Sequence, residues 1–136
     1  MNRILIFVAP LVAVLSLASP ALSEVYQCSI KSQYSNGWLL PGYILEHEAG
    51  SKTIKFTSLR SGGTALANGI GKVTADNSKK LSGSFVWKGA TTQSGQKINV
   101  RYSATVYKAN GKFQVSVVVG THGQREFGRG ACKRIS

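Results

Sequence analysis

Acidic side chains are what this sequence has least of: five Asp and Glu stand against 17 Lys and Arg in 136 residues, a net charge of +12. That imbalance says nothing about fold, but it points to anionic company such as lipid headgroups, acidic polysaccharide or extracellular nucleic acid. Cysteine is nearly as scarce. Cys28 and Cys132 lie far apart with no CxxC spacing, too few ligands for a zinc or redox site. Histidine is limited to His47 and His122, neither in a GxSxG-type motif, so the signal for nucleophilic catalysis is missing. The 15 glycines follow no period of three and no heptads recur, which removes collagen-like and coiled-coil classes. What is present is ordinary: 43% hydrophobic residues, enough to fold, in a length that fits one small domain.

The first 23 residues read as an export signal. Arg3 supplies the positive start, Ile4 to Leu17 are apolar apart from Ser16, and Ser19-Pro20-Ala21-Leu22-Ser23 ends in the small residues a signal peptidase reads. The apolar run is shorter than the roughly 20 residues a bilayer span needs, and Pro10 interrupts it. Cleavage after Ser23 is therefore expected, leaving residues 24–136 as a single secreted β-domain, soluble and without a transmembrane segment. Loss of Arg3 lowers the charge from +12 only to +11. In the oxidising compartment such a leader implies, periplasmic or extracellular, Cys28 and Cys132 are expected to pair. A closed loop of about 105 residues would be worth roughly 4 to 5 kcal/mol on the chain-entropy model.

Strand periodicity dominates the rest. From Lys97 to Tyr107, Ile98, Val100, Tyr102, Ala104 and Val106 fall on one face while Lys97, Asn99, Arg101, Ser103 and Thr105 fall on the other. Asn110-Gly111 is a hairpin signal, after which Phe113, Val115, Val117 and Val119 resume the alternation. Similar segments are predicted over Val25–Lys31, Tyr43–Glu48, Lys52–Leu59, Leu66–Ala75, Leu81–Trp87 and Glu126–Lys133, with Gly69 and Gly71 suggesting a bulge or tight bend. No stretch has helical period. The expectation is an all-β fold of roughly seven to nine antiparallel strands. A disulfide joining the first and last strands favours a small up-and-down, lipocalin-like barrel, with a two-sheet β-sandwich as the alternative.

Motifs for chemistry are weak. Glu46 and Glu48 share a strand face, the minimum for a paired-carboxylate glycan hydrolase, but such residues on an outward strand are usually solvated. His47 points the other way, which argues against a metal cluster of these three neighbours. Gly69-Ile70-Gly71-Lys72-Val73 fails the phosphate-loop pattern at two positions. The segment Gly120 to Gly130 reads as a flexible basic stretch whose Arg side chains and free backbone N–H groups would suit an anion. No catalytic residue, metal or cofactor is expected.

Some of the letters resemble known proteins. Val25-Tyr26-Gln27-Cys28, Leu81-Ser82-Gly83-Ser84-Phe85-Val86-Trp87 and Gly128-Arg129-Gly130-Ala131-Cys132 resemble small, uncharacterised secreted proteins of alphaproteobacteria. That resemblance covers most of the mature layout and implies no activity. The Tyr-x-Cys opening is also similar to periplasmic C-type lysozyme-inhibitor barrels. Their Ser-Gly-x-x-Tyr loop does not occur here, and a basic chain would be repelled by a basic lysozyme.

The function expected from these features is non-enzymatic binding of an anionic surface or ligand, envelope lipid or polysaccharide, with Lys55, Lys88, Lys97, Arg101, Arg125 and Arg129 as candidate contacts. Alternatives are a lipocalin-like carrier lined by Phe85, Trp87, Tyr102 and Phe113, the hydrolase, and the inhibitor. Nucleic acid is disfavoured because the aromatic residues fall mostly on inward faces. The sequence does not set the oligomeric state.

Overall fold

The structure, a computed structural model, describes residues 23–31, 38–60, 63, 65–120 and 124–136. The expected leader lies outside these residues except for Ser23, as does His122. The described chain is all β, eight strands in a closed barrel whose order in space is their order in sequence. They are β1 (Ser23–Ile30), β2 (Gly42–Glu48), β3 (Thr53–Leu59), β4 (Ala65–Asp76), β5 (Lys80–Thr91), β6 (Lys97–Tyr107), β7 (Lys112–Val119) and β8 (Gln124–Arg134). Every neighbouring pair is antiparallel, β1 with β8 included. The barrel is thus the up-and-down form, and the sandwich alternative does not form.

Closure is made twice over, by backbone and by sulfur. β8 returns beside β1 with Cys28 directly opposite Cys132, and the two are bonded. A closed sheet has no free edge for another chain to pair with. No helix among the described residues is long and apolar enough to cross a membrane. The strands themselves are turned the wrong way for lipid. β6 buries Val100, Tyr102, Ala104 and Val106 and exposes Lys97, Asn99, Arg101 and Ser103, whereas membrane barrels carry the apolar band outside.

The interior is filled by rings. Tyr43 on β2 meets Phe56, Tyr102 and Phe113 at centroid distances of 5.6, 6.2 and 5.7 Å, and Phe85 stacks on Phe56 at 5.4 Å. Because β2 and β6 lie on opposite sides of the barrel, the Tyr43–Tyr102 contact crosses the axis. Such ring pairs add about 0.5–1.5 kcal/mol each beyond the area they bury. One mouth is capped by Trp38, Leu39 and Leu40. The Tyr102 hydroxyl donates to the Trp38 carbonyl at 2.9 Å, the Leu40 N–H donates to the Tyr43 hydroxyl at 2.9 Å, and Trp38 packs edge-on against Trp87. Gly128 faces inward beneath this cap, where a Cβ would come 3.1 Å from Leu39 and 2.9 Å from Ile30. Burial pushes the Tyr43 and Tyr102 hydroxyls well above the ordinary tyrosine range, so both remain neutral.

Two local expectations are corrected. The β3–β4 register runs unbroken through Gly69 and Gly71; the shifts fall at Ser58/Leu59, Val73/Ala75 and Trp87/Ala90. These glycines are needed for close approach instead. A Cβ on Gly69 would run into the Phe85 ring, and one on Gly71 into the Ser84 carbonyl. Similarly, Gln124 to Gly130 form part of β8, paired from Val119↔Gln124 to Phe113↔Gly130, and not an open loop with free N–H groups. Asn110-Gly111 does join two antiparallel neighbours, through a four-residue turn, 108–111, closed by the Gly111 N–H on the Tyr107 carbonyl at 2.8 Å. Gly111 takes φ +69°, which a side chain would resist.

Candidate anion-binding face

Alternation decides which side chains face out, and register decides which of them are neighbours. Across β5–β8 the outward rows are Val86–Arg101–Val118–Arg125, then Ser84–Ser103–Ser116–Phe127, then Ser82–Thr105–Gln114–Arg129. With strands about 4.8 Å apart, the Arg101 and Arg125 backbones lie roughly 10 Å from each other; four residues along β8 place Arg129 roughly 13 Å from Arg125. Phe127 sits between those two arginines and is 70% exposed, with the Arg125 guanidinium 6.0 Å from its ring centre. The hydroxyl rows are short and tied to each other, as in Ser82 Oγ to Thr105 Oγ1 at 2.8 Å, so they leave the longer basic side chains proud of the wall.

Beside the bulge at Trp87/Ala90 lies a depression of about 720 Å³ that runs from β5 across β6 to β7, lined by Lys97, Asn99, Arg101 and Val118 among others. Asn99 braces it: its side-chain oxygen accepts the Gly89 N–H at 3.2 Å and its carbonyl accepts the Gly120 N–H at 2.9 Å. Lys88 lies exposed within the bulge itself. A second depression, about 260 Å³, lies beside Phe127 and Arg129 and includes Ser103, Thr105, Gln114 and Ser116.

Where the five acids go is the decisive feature. Glu46 is on β2 with its carboxylate 3.5 Å from Lys55, and Glu48 is exposed at the end of the same strand. Glu24 and Asp76 are bound to Lys108 at the hairpin end of the barrel. Glu126 alternates with the exposed Arg125 and Phe127 and has a buried carboxylate oxygen. All five belong to the described residues, and none faces outward from β5, β6, β7 or β8. The basic excess is therefore uncompensated over half the circumference.

Of the six candidate residues, Lys97, Arg101, Arg125 and Arg129 share this wall and Lys88 borders it. Lys55 does not join them: it lies on β3, separated by β4 and β5, and is neutralised by Glu46. Phe127 was not among the candidates, although parity with inward Gly128 places it outside. The proposed carrier lining is otherwise employed. Phe85, Tyr102 and Phe113 are core residues in mutual contact with Tyr43 and Phe56, and Trp87 packs on the cap. Glu46 and Glu48 share the outer face of β2 while His47 is buried inside, 2% exposed, as the alternation requires.

No family model matches the chain, and no curated protein or solved structure matches it either.

Proposed function

We propose that this protein is an exported, non-enzymatic binding domain that attaches to an anionic component of the cell envelope, lipid or polysaccharide, through the outer wall of β6–β8. The observation that carries this reading is the segregation of acid from that wall while Lys97, Arg101, Arg125 and Arg129 remain on it. Arginine suits the role because its planar fork binds phosphate, sulfate or carboxylate through two parallel hydrogen bonds. The disulfide fits an oxidising compartment outside the cytoplasm. A cargo-carrying barrel is a poorer fit, since the space a ligand would take is occupied by rings that meet across the axis. A hydrolase is poorer too, as Glu46 is paired with Lys55 at 3.5 Å and Glu48 is exposed at the strand end.

The test is retention on anionic vesicles, lipopolysaccharide and heparin across a salt series. Removing Arg101, Arg125 and Arg129 together as alanines should weaken binding about 100-fold, at roughly 1 kcal/mol for each charge near an anionic surface. Lys55→Ala should change it less than twofold. Absence of retention at low salt, or equal losses from Lys55→Ala and from each wall arginine, would remove the proposal.

A further inference from the structure

The hairpin end of the barrel holds a second constellation that plays no part in the binding wall. Glu24 of β1 stands opposite His47 of β2 in register, and Asp76 ends β4 nearby. One ligand atom from each of the three lies within 4.8 Å of the others. His47 is the informative member. Its Nε2 is 2.8 Å from the Ser51 carbonyl oxygen, which can only accept, so Nε2 carries the hydrogen. In the neutral ring Nδ1 is then a bare lone pair. That atom is buried, has no hydrogen-bond partner among the described residues, and faces the Glu24 carboxylate across 3.9 Å, while the Asp76 carboxylate stands 4.0 Å from Nε2. Two acceptors set against each other out of water are unfavourable unless something electron-poor comes between them.

We propose that Glu24, His47 and Asp76 form a site for a divalent first-row transition ion, with zinc the best match. An imidazole whose remote N–H is fixed on a backbone carbonyl is the usual support for a metal-binding histidine. One nitrogen and two carboxylates suit zinc or its neighbours, with a fourth position left for water; calcium wants six to eight oxygens, and magnesium keeps most of its water. Tetrahedral bonds of about 2.1 Å put donors roughly 3.4 Å apart, so the site contracts by up to about 1.4 Å on binding and the Asp76 carboxylate, now 4.0 Å from Nε2, swings towards Nδ1. Side chains reaching the barrel rim can do this: Glu24 and Asp76 are 18% and 31% exposed, which also gives the ion its entry path.

Lys108 is the built-in competitor. Its Nζ lies 3.1 Å from Asp76 and 3.5 Å from Glu24, a tethered cation bridging the same carboxylates from the β6–β7 turn. The incoming ion displaces that ammonium towards solvent. Removing the competitor therefore strengthens metal binding, the reverse of what a purely structural ion-pair network would give.

Chelator-stripped, disulfide-bonded protein should be titrated with Zn²⁺ near neutral pH by calorimetry, with Ca²⁺ as the control ion. The expected result is one zinc per chain, a raised Tm, and a ring ¹⁵N shift at Nδ1 of His47. His47→Gln should weaken binding at least tenfold. Lys108→Met should tighten it several-fold. If His47→Gln fails to fold, Asp76→Asn at the rim serves instead, with the same direction expected. No uptake at about 100 µM zinc, uptake unaffected by His47→Gln and Asp76→Asn, or weaker uptake by Lys108→Met would each overturn the site. Because none of these residues lies on the β6–β8 wall, failure here leaves anion binding untouched.

Discussion

Replacing both half-cystines by alanine should leave the barrel intact in shape and much less stable. The bond spans a sequence separation of 104. Loop-closure entropy for that length makes the oxidised unfolded chain about 4–5 kcal/mol less favourable than the open one. Little of that is recovered by packing, since Cys28 is buried but small. The β1–β8 register from Tyr26↔Arg134 to Ile30↔Gly130 has backbone pairing of its own to hold the seam. For a domain of about this size each kcal/mol moves Tm by roughly 4–8 °C, so the double variant should melt about 20 °C lower or more. Urea denaturation separates the two sources of the effect. An unfolded-state mechanism raises the m-value along with the loss of stability, because the uncrosslinked chain exposes more surface. A stability loss below about 1 kcal/mol would refute the entropic reasoning. So would a seam that opens in the variant, seen as fast amide exchange confined to β1 and β8.

Other perturbations test the interior. Folding holds Tyr43 and Tyr102 neutral well above their ordinary value of 10.0, while the unfolded chain ionises there. Their contribution is therefore complete below about pH 10 and is lost as pH rises, by about 1.4 kcal/mol per pH unit for each tyrosine. Alkaline urea melts should show this slope, shallower by one tyrosine's share in Tyr102→Phe; an unchanged slope in that variant would sink the assignment. At neutral pH, Tyr43→Phe strands the buried Leu40 N–H that its hydroxyl accepts, and should cost about 1–3 kcal/mol in the same melts. Gly71→Ala should cost about 1–3 kcal/mol or more, and more than Gly69→Ala, because its Cβ meets the Ser84 backbone whereas the Phe85 ring can turn. Phe127→Ala should change stability by less than about 0.5 kcal/mol while weakening retention on the anionic matrix, which compares the two roles in one variant.

Strand alternation made the inside of this protein legible and the outside only half so. Period-two spacing in Lys97–Tyr107 separates dry from wet correctly, because a one-residue slip would put Tyr102 and Val106 in water. The Cys28–Cys132 pairing likewise follows from compartment and count. Bulges are another matter. The one at Val73/Ala75 involves residues with no special chemistry, the one at Trp87/Ala90 turns on Gly89 at φ +69°, a cue that reading along the chain passed over, and each resets which outward side chains stand side by side. The depression holding Lys97 and Arg101 borders the second bulge, whose Gly89 is part of its lining. Gly69 and Gly71 suggested a bulge because a missing side chain has more than one use, and here the use is to admit a ring and a carbonyl.

The acids show why long-range neighbours escape a reading along the chain. Glu24, His47, Asp76 and Lys108 are spread over three-fifths of the sequence, so no local motif links them, and His47 beside Glu46 and Glu48 invites grouping with the wrong carboxylates. Parity rejects that grouping but cannot supply the right one. The right one depends on the up-and-down order, which brings the start of β1, the ends of β2 and β4 and the β6–β7 turn to one rim. The same order places Lys55 opposite Glu46 and leaves the arginines of β6 and β8 facing none. A charge count of +12 therefore understates the field on one side of the barrel: the acids that offset it are taken up at the rim, in the interior and on β2. Attraction for an anionic surface depends on that local excess, because charges more than about 8 Å apart across the barrel are screened from one another at physiological salt.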